Sequence, residues 1–415
     1  MKTKVVVTGI GVVSPIGNTV DELWSSLLEG KSGIGPVTRF DTSAYPTKIA
    51  AEVKNLDVDA FIEKKESRRM DIFEQYALVA SEQAIKDSGL DLEKTDLDKC
   101  GVVIGSGIGG ISTFEKQHNV LEKSGLRRVS PFFIPMLIID MCAGRVSIKY
   151  GFRGPNYATV SACSSSAHAI MDAMYVIQRG QADVMVAGGA ESTITPMTFA
   201  GFCQAKAIST RNDEPEKASR PFDIDRDGFV IGEGSAILIL ESYEHAKARG
   251  ARIYGELLGA GLTSDAYHIT APNPDGHGAG RAMEMALKDA GIEREQVDYI
   301  NTHGTSTPLG DIAECRAIKQ VFGQRASEIP CNSTKSMTGH LLGSAGAIEL
   351  ITTFKSIEKK TIHRTVNIDN LDPECDLDFV TGGNRERDIH YAISNSFGFG
   401  GHNVSLVAGK IDDKP

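Results

Sequence analysis

Runs of β-branched and aliphatic residues recur along the chain and end in glycine; between them lie segments whose apolar positions repeat every three or four residues. The first run is Lys4-Val-Val-Val-Thr-Gly-Ile-Gly. Others are Gly101-Val-Val-Ile-Gly105, Ala182-Asp-Val-Met-Val-Ala-Gly-Gly189 and Ser235-Ala-Ile-Leu-Ile-Leu240. Unbroken apolar runs of this kind predict strands covered on both faces. Helical spacing predicts helices over 72–88, 165–180 and 279–290. Strands alternating with helices predict an α/β class built in layers.

The pattern echoes itself. In the first part a strand ends at Gly105-Ser-Gly107, and Cys163 later opens a helix of small residues. In the second, Val297-Asp-Tyr-Ile-Asn301 runs into His303-Gly-Thr, and Gly339-His340 precedes the small-residue segment Gly343-Ser-Ala-Gly-Ala-Ile-Glu349. Two copies of one α/β unit, 1–250 and 251–415, account for the echo and for a length of 415 residues, beyond the usual size of one core. The first carries the cysteine, the second both histidines.

Composition narrows the classes. A formal charge of −10 argues against general affinity for nucleic acid or an anionic membrane, and no apolar run is long enough for a bilayer. Seven cysteines with no C-x-x-C pair predict neither a disulfide framework nor a zinc ribbon, so a reducing cytoplasm is expected.

Candidate chemistry sits in three segments rich in Gly, Ser and Thr: Thr159-Val-Ser-Ala-Cys163-Ser-Ser-Ser-Ala, Thr302-His303-Gly-Thr-Ser-Thr-Pro308 and Ser333-Thr-Lys335-Ser-Met-Thr-Gly-His340. Small residues let backbone and substrate come close. Cys163 falls at a predicted helix N-terminus, where the dipole and free N–H groups are expected to lower a thiol's pKa and to bind an oxyanion. The plain alternative is a small buried cysteine at a tight junction. His303 lies in a loop too polar for a core histidine. His340 precedes a helix, which favours the neutral ring, and Lys335 nearby disfavours imidazolium further. Glu349 is the expected ion-pair partner of Lys335. For each histidine a capping role is the alternative; two in such loops point to a thiol nucleophile served by imidazoles.

Other signals are weaker. Gly105-Ser-Gly107-Ile-Gly-Gly110 matches a dinucleotide fingerprint, but no second strand with an acidic end follows, so nucleotide binding is not expected. Asn395-Ser-Phe-Gly-Phe399-Gly-Gly-His-Asn403 reads as a glycine-rich turn whose backbone can approach a reacting carbonyl, with Phe399 as a swinging lid. Lys64-Lys65-Glu-Ser-Arg68-Arg69 and Arg127-Arg128 are basic clusters on an acidic chain, either solvated faces or a dock for an acidic partner.

Together these motifs resemble the elongating, Cys-His-His type of β-ketoacyl-acyl carrier protein synthase, in the pattern of synthase II, over essentially the whole chain. Gly154-x4-Thr159-x2-Ala162-Cys163-Ser-Ser-Ser-x3-Ile170 fits the active-site signature of that family at every fixed position, although many members carry other small residues after the cysteine. The resemblance implies a thiolase fold, with duplicated α/β halves in a five-layered αβαβα arrangement, and a homodimer. It implies acyl transfer to Cys163 from an acyl carrier protein, then decarboxylative condensation with malonyl-acyl carrier protein, His303 and His340 stabilising the enolate. The backbone N–H groups of Cys163 and Phe399 would hold the oxyanion. Thr270, Thr305 and Thr307 would line the pantetheine channel, and Ile108 and Phe202 the acyl pocket. Lys65, Arg68, Arg69, Arg127, Arg128 and Lys206 would face the carrier. No cofactor is implied beyond the carrier's phosphopantetheine, and no catalytic metal, although some relatives hold a structural cation where Asn301, Glu314, Glu349 and Asn395 lie.

Two alternatives stand beside this reading: a polyketide-type ketosynthase, which the same residues would serve, and a non-catalytic chain-length subunit. A chain-length subunit replaces the nucleophile, which is present here. A thiolase needs a second catalytic cysteine near the C-terminus, and Cys375 precedes a different motif.

Overall fold

The computed structural model describes residues 2–411; Met1 and residues 412–415, which the two predicted halves include, lie outside it. Strand β1 (Val5–Val13) is buried at every residue, as its unbroken apolar run requires. The first half continues with β2 (Cys100–Gly105), β3 (Asn156–Tyr157), β4 (Val184–Glu191) and β5 (Gly234–Ser242). The second contains β6 (Gly255–Ser264), β7 (Tyr299–Asn301), β8 (Cys331–Asn332), β9 (Tyr391–Gly398) and β10 (His402–Gly409).

These ten strands hydrogen-bond in the order β3-β2-β4-β5-β1-β6-β10-β9-β7-β8. Outward from the centre, the order β1, β5, β4, β2, β3 on one side is repeated by β6, β10, β9, β7, β8 on the other. The directions repeat as well. The β2 strand is parallel to β3 and β4, as β7 is to β8 and β9, and the remaining pairs are antiparallel. Within this sheet the two halves meet through three residue pairs, Val5–Val7 against Gly255–Leu257.

The helices complete five layers. Helix α1 (Ile72–Ser88) starts at a capping box formed by Asp71 and Glu74 and packs on the outer face of β1, β4 and β5. Helix α2 (Ser165–Gln178) buries Ala167, Ile170, Met174 and Ile177. Helices α3 (His277–Ala290) and α4 (Pro308–Phe322) cover the outside of the second half, α3 lying on β6 and β10. Helix α5 (Ala345–Lys359) is buried on all sides from Ala345 to Ile357, the signature of a helix enclosed in a core. α2 and α5 touch each other and strands of both halves, so they form the central layer. Each large aliphatic side chain there contributes about 1.5–3 kcal/mol on burial. Small residues make the contact possible: a Cβ on Gly346 would lie 3.0 Å from the Cβ of Ala167 and 2.6 Å from Ser396 Oγ.

Two boundaries differ from the sequence expectation in a way that bears on the site. The strand expected over 182–189 runs from Val184 to Glu191, which brings Glu191 to its end. Cys163 does not open the helix itself. It sits in a 3₁₀ turn, Ala162–Ser164, entered through Ala162 at a left-handed φ of 52°, and the helix begins only after Ser164, whose φ of −97° and ψ of 3° are not α-helical.

Candidate active site

The Cys163 turn is held by its serines. Ser165 Oγ donates to the Ala162 carbonyl (2.7 Å) and accepts from the Ser161 N–H (2.9 Å). Ser164 Oγ faces the carbonyls of His402 (2.8 Å) and Ser396 (3.1 Å), and Thr159 Oγ1 donates to the Ser165 carbonyl (2.7 Å). A non-glycine residue at positive φ costs on the order of 1–3 kcal/mol, and these bonds hold the turn against that strain. Ser164 and Ser165 are therefore fastenings as well as small residues, while Ser166 Oγ accepts the Ala347 N–H at 3.0 Å.

The second half supplies the histidines. His303 follows β7, and its loop is fixed by Glu314 of α4, whose carboxylate accepts the N–H groups of His303 and Gly304, both at 2.8 Å. Asn395 Nδ2 donates to the same carboxylate at 3.2 Å. His340 is tied by backbone bonds to Val230 and Gly232, each 2.8 Å. Its ring packs edge-on against His303, with centroids 5.5 Å apart, and against Phe229 at 5.2 Å. Both of its ring nitrogens are buried with no hydrogen-bond partner.

Lys335 lies behind the histidines and is 1% exposed. Its Nζ donates to the His303 carbonyl at 2.6 Å, faces His303 Nδ1 at 3.5 Å, and pairs with Glu349. A cation beside Nδ1 makes that nitrogen the acceptor and leaves the proton on Nε2.

Burial sets the protonation states. It holds His303 and His340 well below the ordinary imidazole range, and the Lys335 cation pushes in the same direction. The neutral ring expected for His340 from the sequence follows, with burial as the larger cause and Lys335 the next. The expectation for Cys163 needs correction. Burial pushes its thiol up to about 11, outweighing Lys335 and the N–H groups of Phe399 and of Cys163 itself, which point at the sulfur. Two N–H groups fixed side by side at the sulfur can accept an oxyanion without rearrangement. Burial also pushes Glu314 and Glu349 up to about 7, against the Lys335 cation.

Cys163, His303, His340 and Phe399 line one cavity of about 260 Å³, together with Thr270, Thr305, Thr307, Ile108 and Phe202. Its walls also include Phe229, Asp265, Leu342 and Phe397, which the sequence reading did not single out. Lys335 and Glu349 stand outside it. Lys65, Arg68, Arg69, Arg127, Arg128 and Lys206 are exposed, and none forms an ion pair among the described residues. Arg69 stacks over Phe132, 4.6 Å from the ring centre. At the implied cation position, Asn301 Oδ1 and Glu349 Oε2 are buried without partners. Among the described residues no cluster of three or more His, Cys, Asp or Glu side chains able to hold a metal occurs.

The architecture is a duplicated α/β fold with a cysteine turn from one half facing two histidines from the other, the plan of an acyl-condensing enzyme of thiolase fold. The β-ketoacyl synthase N-terminal domain matches residues 2–246 and the C-terminal domain residues 254–369. The chain is 53% identical over 406 residues to the 3-oxoacyl-[acyl-carrier-protein] synthase 2 of Synechocystis sp., covering 98% of each chain. It is 53% identical over 409 residues to the enzyme of that name from Staphylococcus aureus strain COL, covering 99% of each. Among solved structures it is similar to a β-ketoacyl synthase from Burkholderia phymatum (TM-score 0.93, 37% identity, 99% of this chain and 100% of that one). It is also similar to a type II polyketide ketosynthase in complex with its acyl carrier protein (TM-score 0.92, 36% identity, the same coverage). This chain belongs to the β-ketoacyl synthase family.

Proposed function

We propose that the chain elongates fatty acyl groups by two carbons through decarboxylative condensation. The observation that carries this reading is the pair of neutral, buried imidazoles facing a cysteine at a strained turn, with Lys335 behind them.

Cys163 Sγ attacks the thioester carbonyl of an acyl-acyl carrier protein. The oxyanion rests on the N–H groups of Cys163 and Phe399. The C–S bond to the carrier breaks, and the thiol proton passes to the departing pantetheine sulfur. The high pKa of Cys163 means that this proton leaves during attack and not before it. Malonyl-acyl carrier protein then enters. Nε2 of His303 and a ring N–H of His340 donate to its thioester carbonyl, so that the C–C bond to the carboxylate breaks and its electron pair becomes an enolate. Carbon dioxide departs. The enolate carbon bonds to the acyl carbon, the C–S bond to Cys163 breaks, and the cysteine thiolate takes up one proton. A charged imidazolium would donate as well but would have to be desolvated; the neutral rings are ready at pH 7.

The carrier's own phosphopantetheine is the only prosthetic group this scheme needs. Thr305 and Thr307, whose hydroxyls lie 3.0 Å apart, and Thr270 line the approach for that arm. The six exposed cations Lys65, Arg68, Arg69, Arg127, Arg128 and Lys206 suit an acidic carrier. For quaternary structure we infer a homodimer. The edge strand β3 is paired on one side alone and exposed, and Ile134, Ile148, Tyr157 and Val160 expose apolar surface along the 134–160 segment. No described helix is long and apolar enough to cross a membrane, and a cytoplasmic site fits seven free cysteines.

A Cys163→Ala variant tests the reading: loss of all β-ketoacyl product supports it, and unchanged product in the presence of a second synthase chain would mean that this chain only scaffolds a partner.

A further inference from the structure

The two repeats place a second turn opposite the nucleophile turn. Ala162 (φ 52°) precedes Cys163 before α2, and Leu342 (φ 45°) precedes Gly343 before α5. In the first turn the backbone N–H of Cys163 faces the reacting sulfur. In the second, the N–H of Gly343 is taken by a carboxylate of the protein itself, Glu191 Oε2, at 2.9 Å.

Glu191 ends β4 and is fully buried. Its Oε2 also accepts from Gly107 N (2.7 Å). Its Oε1 accepts from Ser106 Oγ (2.8 Å), Ile108 N (3.2 Å) and Gly109 N (3.3 Å). Gly109 N reaches Ser106 Oγ as well, at 3.2 Å. The glycine-rich loop that resembles a dinucleotide fingerprint thus wraps an internal anion. Side chains have no room in it: a Cβ on Gly107 would lie 2.8 Å from Glu191 Oε2, and one on Gly343 2.2 Å from Gly107 N.

Two residues fastened by this carboxylate, directly or through a neighbour, line the cavity beside Cys163: Ile108, and Leu342 next to Gly343. They come from different repeats, and Glu191 holds both backbones with one charge. We propose that Glu191 is the positioning residue that fixes Ile108 and Leu342 as walls of the acyl pocket, and so sets which acyl chain lengths Cys163 accepts. Glu191 touches no reacting atom; it acts through the loop. The inference rests on the proposed acyl transfer to Cys163 and extends it to substrate selection.

The test is the rate of acyl transfer from C6, C8, C12 and C16 acyl carriers onto Cys163, read by intact mass, in Glu191→Gln and Ser106→Ala. An amide places N–H groups against N–H donors, and Ser106→Ala removes one donor while leaving the carboxylate in place. The expected result is that discrimination narrows. The ratio between the fastest and slowest lengths falls at least fivefold in Glu191→Gln and changes in the same direction, by less, in Ser106→Ala. A residue that merely supports the fold would scale every length by one factor, and that parallel loss, or no change in Ser106→Ala if Glu191→Gln does not fold, overturns the proposal. If the unaltered protein accepts no acyl group of any length, the functional reading falls and takes this inference with it.

Discussion

Lys335 Nζ donates to the main-chain carbonyl of His303 at 2.6 Å and faces the same residue's Nδ1 at 3.5 Å. One buried cation thereby fixes the position and the tautomer of the His303 imidazole, and Glu349 holds the cation in place. The arrangement makes structural and chemical roles separable by substitution.

Lys335→Ala leaves Glu349 buried without a counter-charge. Breaking such a pair costs about 3–5 kcal/mol, to be read from the denaturant midpoint. Lys335→Met with Glu349→Leu should recover most of that stability without recovering malonyl decarboxylation. Recovery of both would mean that the cation serves the fold alone.

His340→Ala separates the roles from the other side. No hydrogen bond among the described residues uses its ring, so the substitution costs stability through the lost Phe229 contact and the void it leaves. Decarboxylation of malonyl-acyl carrier protein should fall by about 10²–10³, the usual cost of one oxyanion donor. A decrease under fivefold would remove His340 from the donor pair.

The thiol of Cys163, raised to about 11, gives a pH prediction. Alkylation by iodoacetamide needs the thiolate, so its rate should rise about tenfold per pH unit from 7 to 9.5 without levelling. A plateau below pH 8 would show a preformed thiolate.

Stability should carry two opposed slopes. His303 and His340, held below their unfolded value of 6.5, lower stability as pH falls beneath 6.5, because the unfolded chain takes up protons that the folded one does not. Glu314 and Glu349, raised from 4.5 to about 7, act the other way: their contribution is complete below pH 4.5 and is lost as pH rises through 7. Replacing Glu314 by Gln removes one of the second pair, so the variant's denaturant midpoint should fall less than that of the unaltered protein between pH 5 and 7.5.

The apolar runs named β1, β2, β4 and β5 in advance because burial on both faces leaves no polar alternation. The two-residue strands β3 and β8 carry no such pattern; tertiary pairing makes them. Cys163, His303, His340 and Lys335 were legible because reactive side chains stood among residues too small to pack around them. Of their supports Glu349 was legible, as the expected partner of Lys335; the others were not. Nothing in the local pattern distinguishes Glu191 or Glu314 from a surface glutamate, since what defines each is a set of backbone N–H groups supplied by distant loops. Asp265 is similar: it joins Asn273, Gly401 and Asn403 across a loop and a turn far apart in the chain. The pKa of Cys163 was misjudged for the same reason, because position at a helix start is local and burial is not.

The most direct measurement is the intact mass of the protein after exposure to a series of acyl-acyl carrier proteins, and again after malonyl-acyl carrier protein. The account predicts one acyl mass on Cys163 that disappears as a β-ketoacyl product two carbons longer forms. An enzyme that takes up no acyl group from any donor between C4 and C18, or whose adduct survives addition of the malonyl carrier, would contradict it.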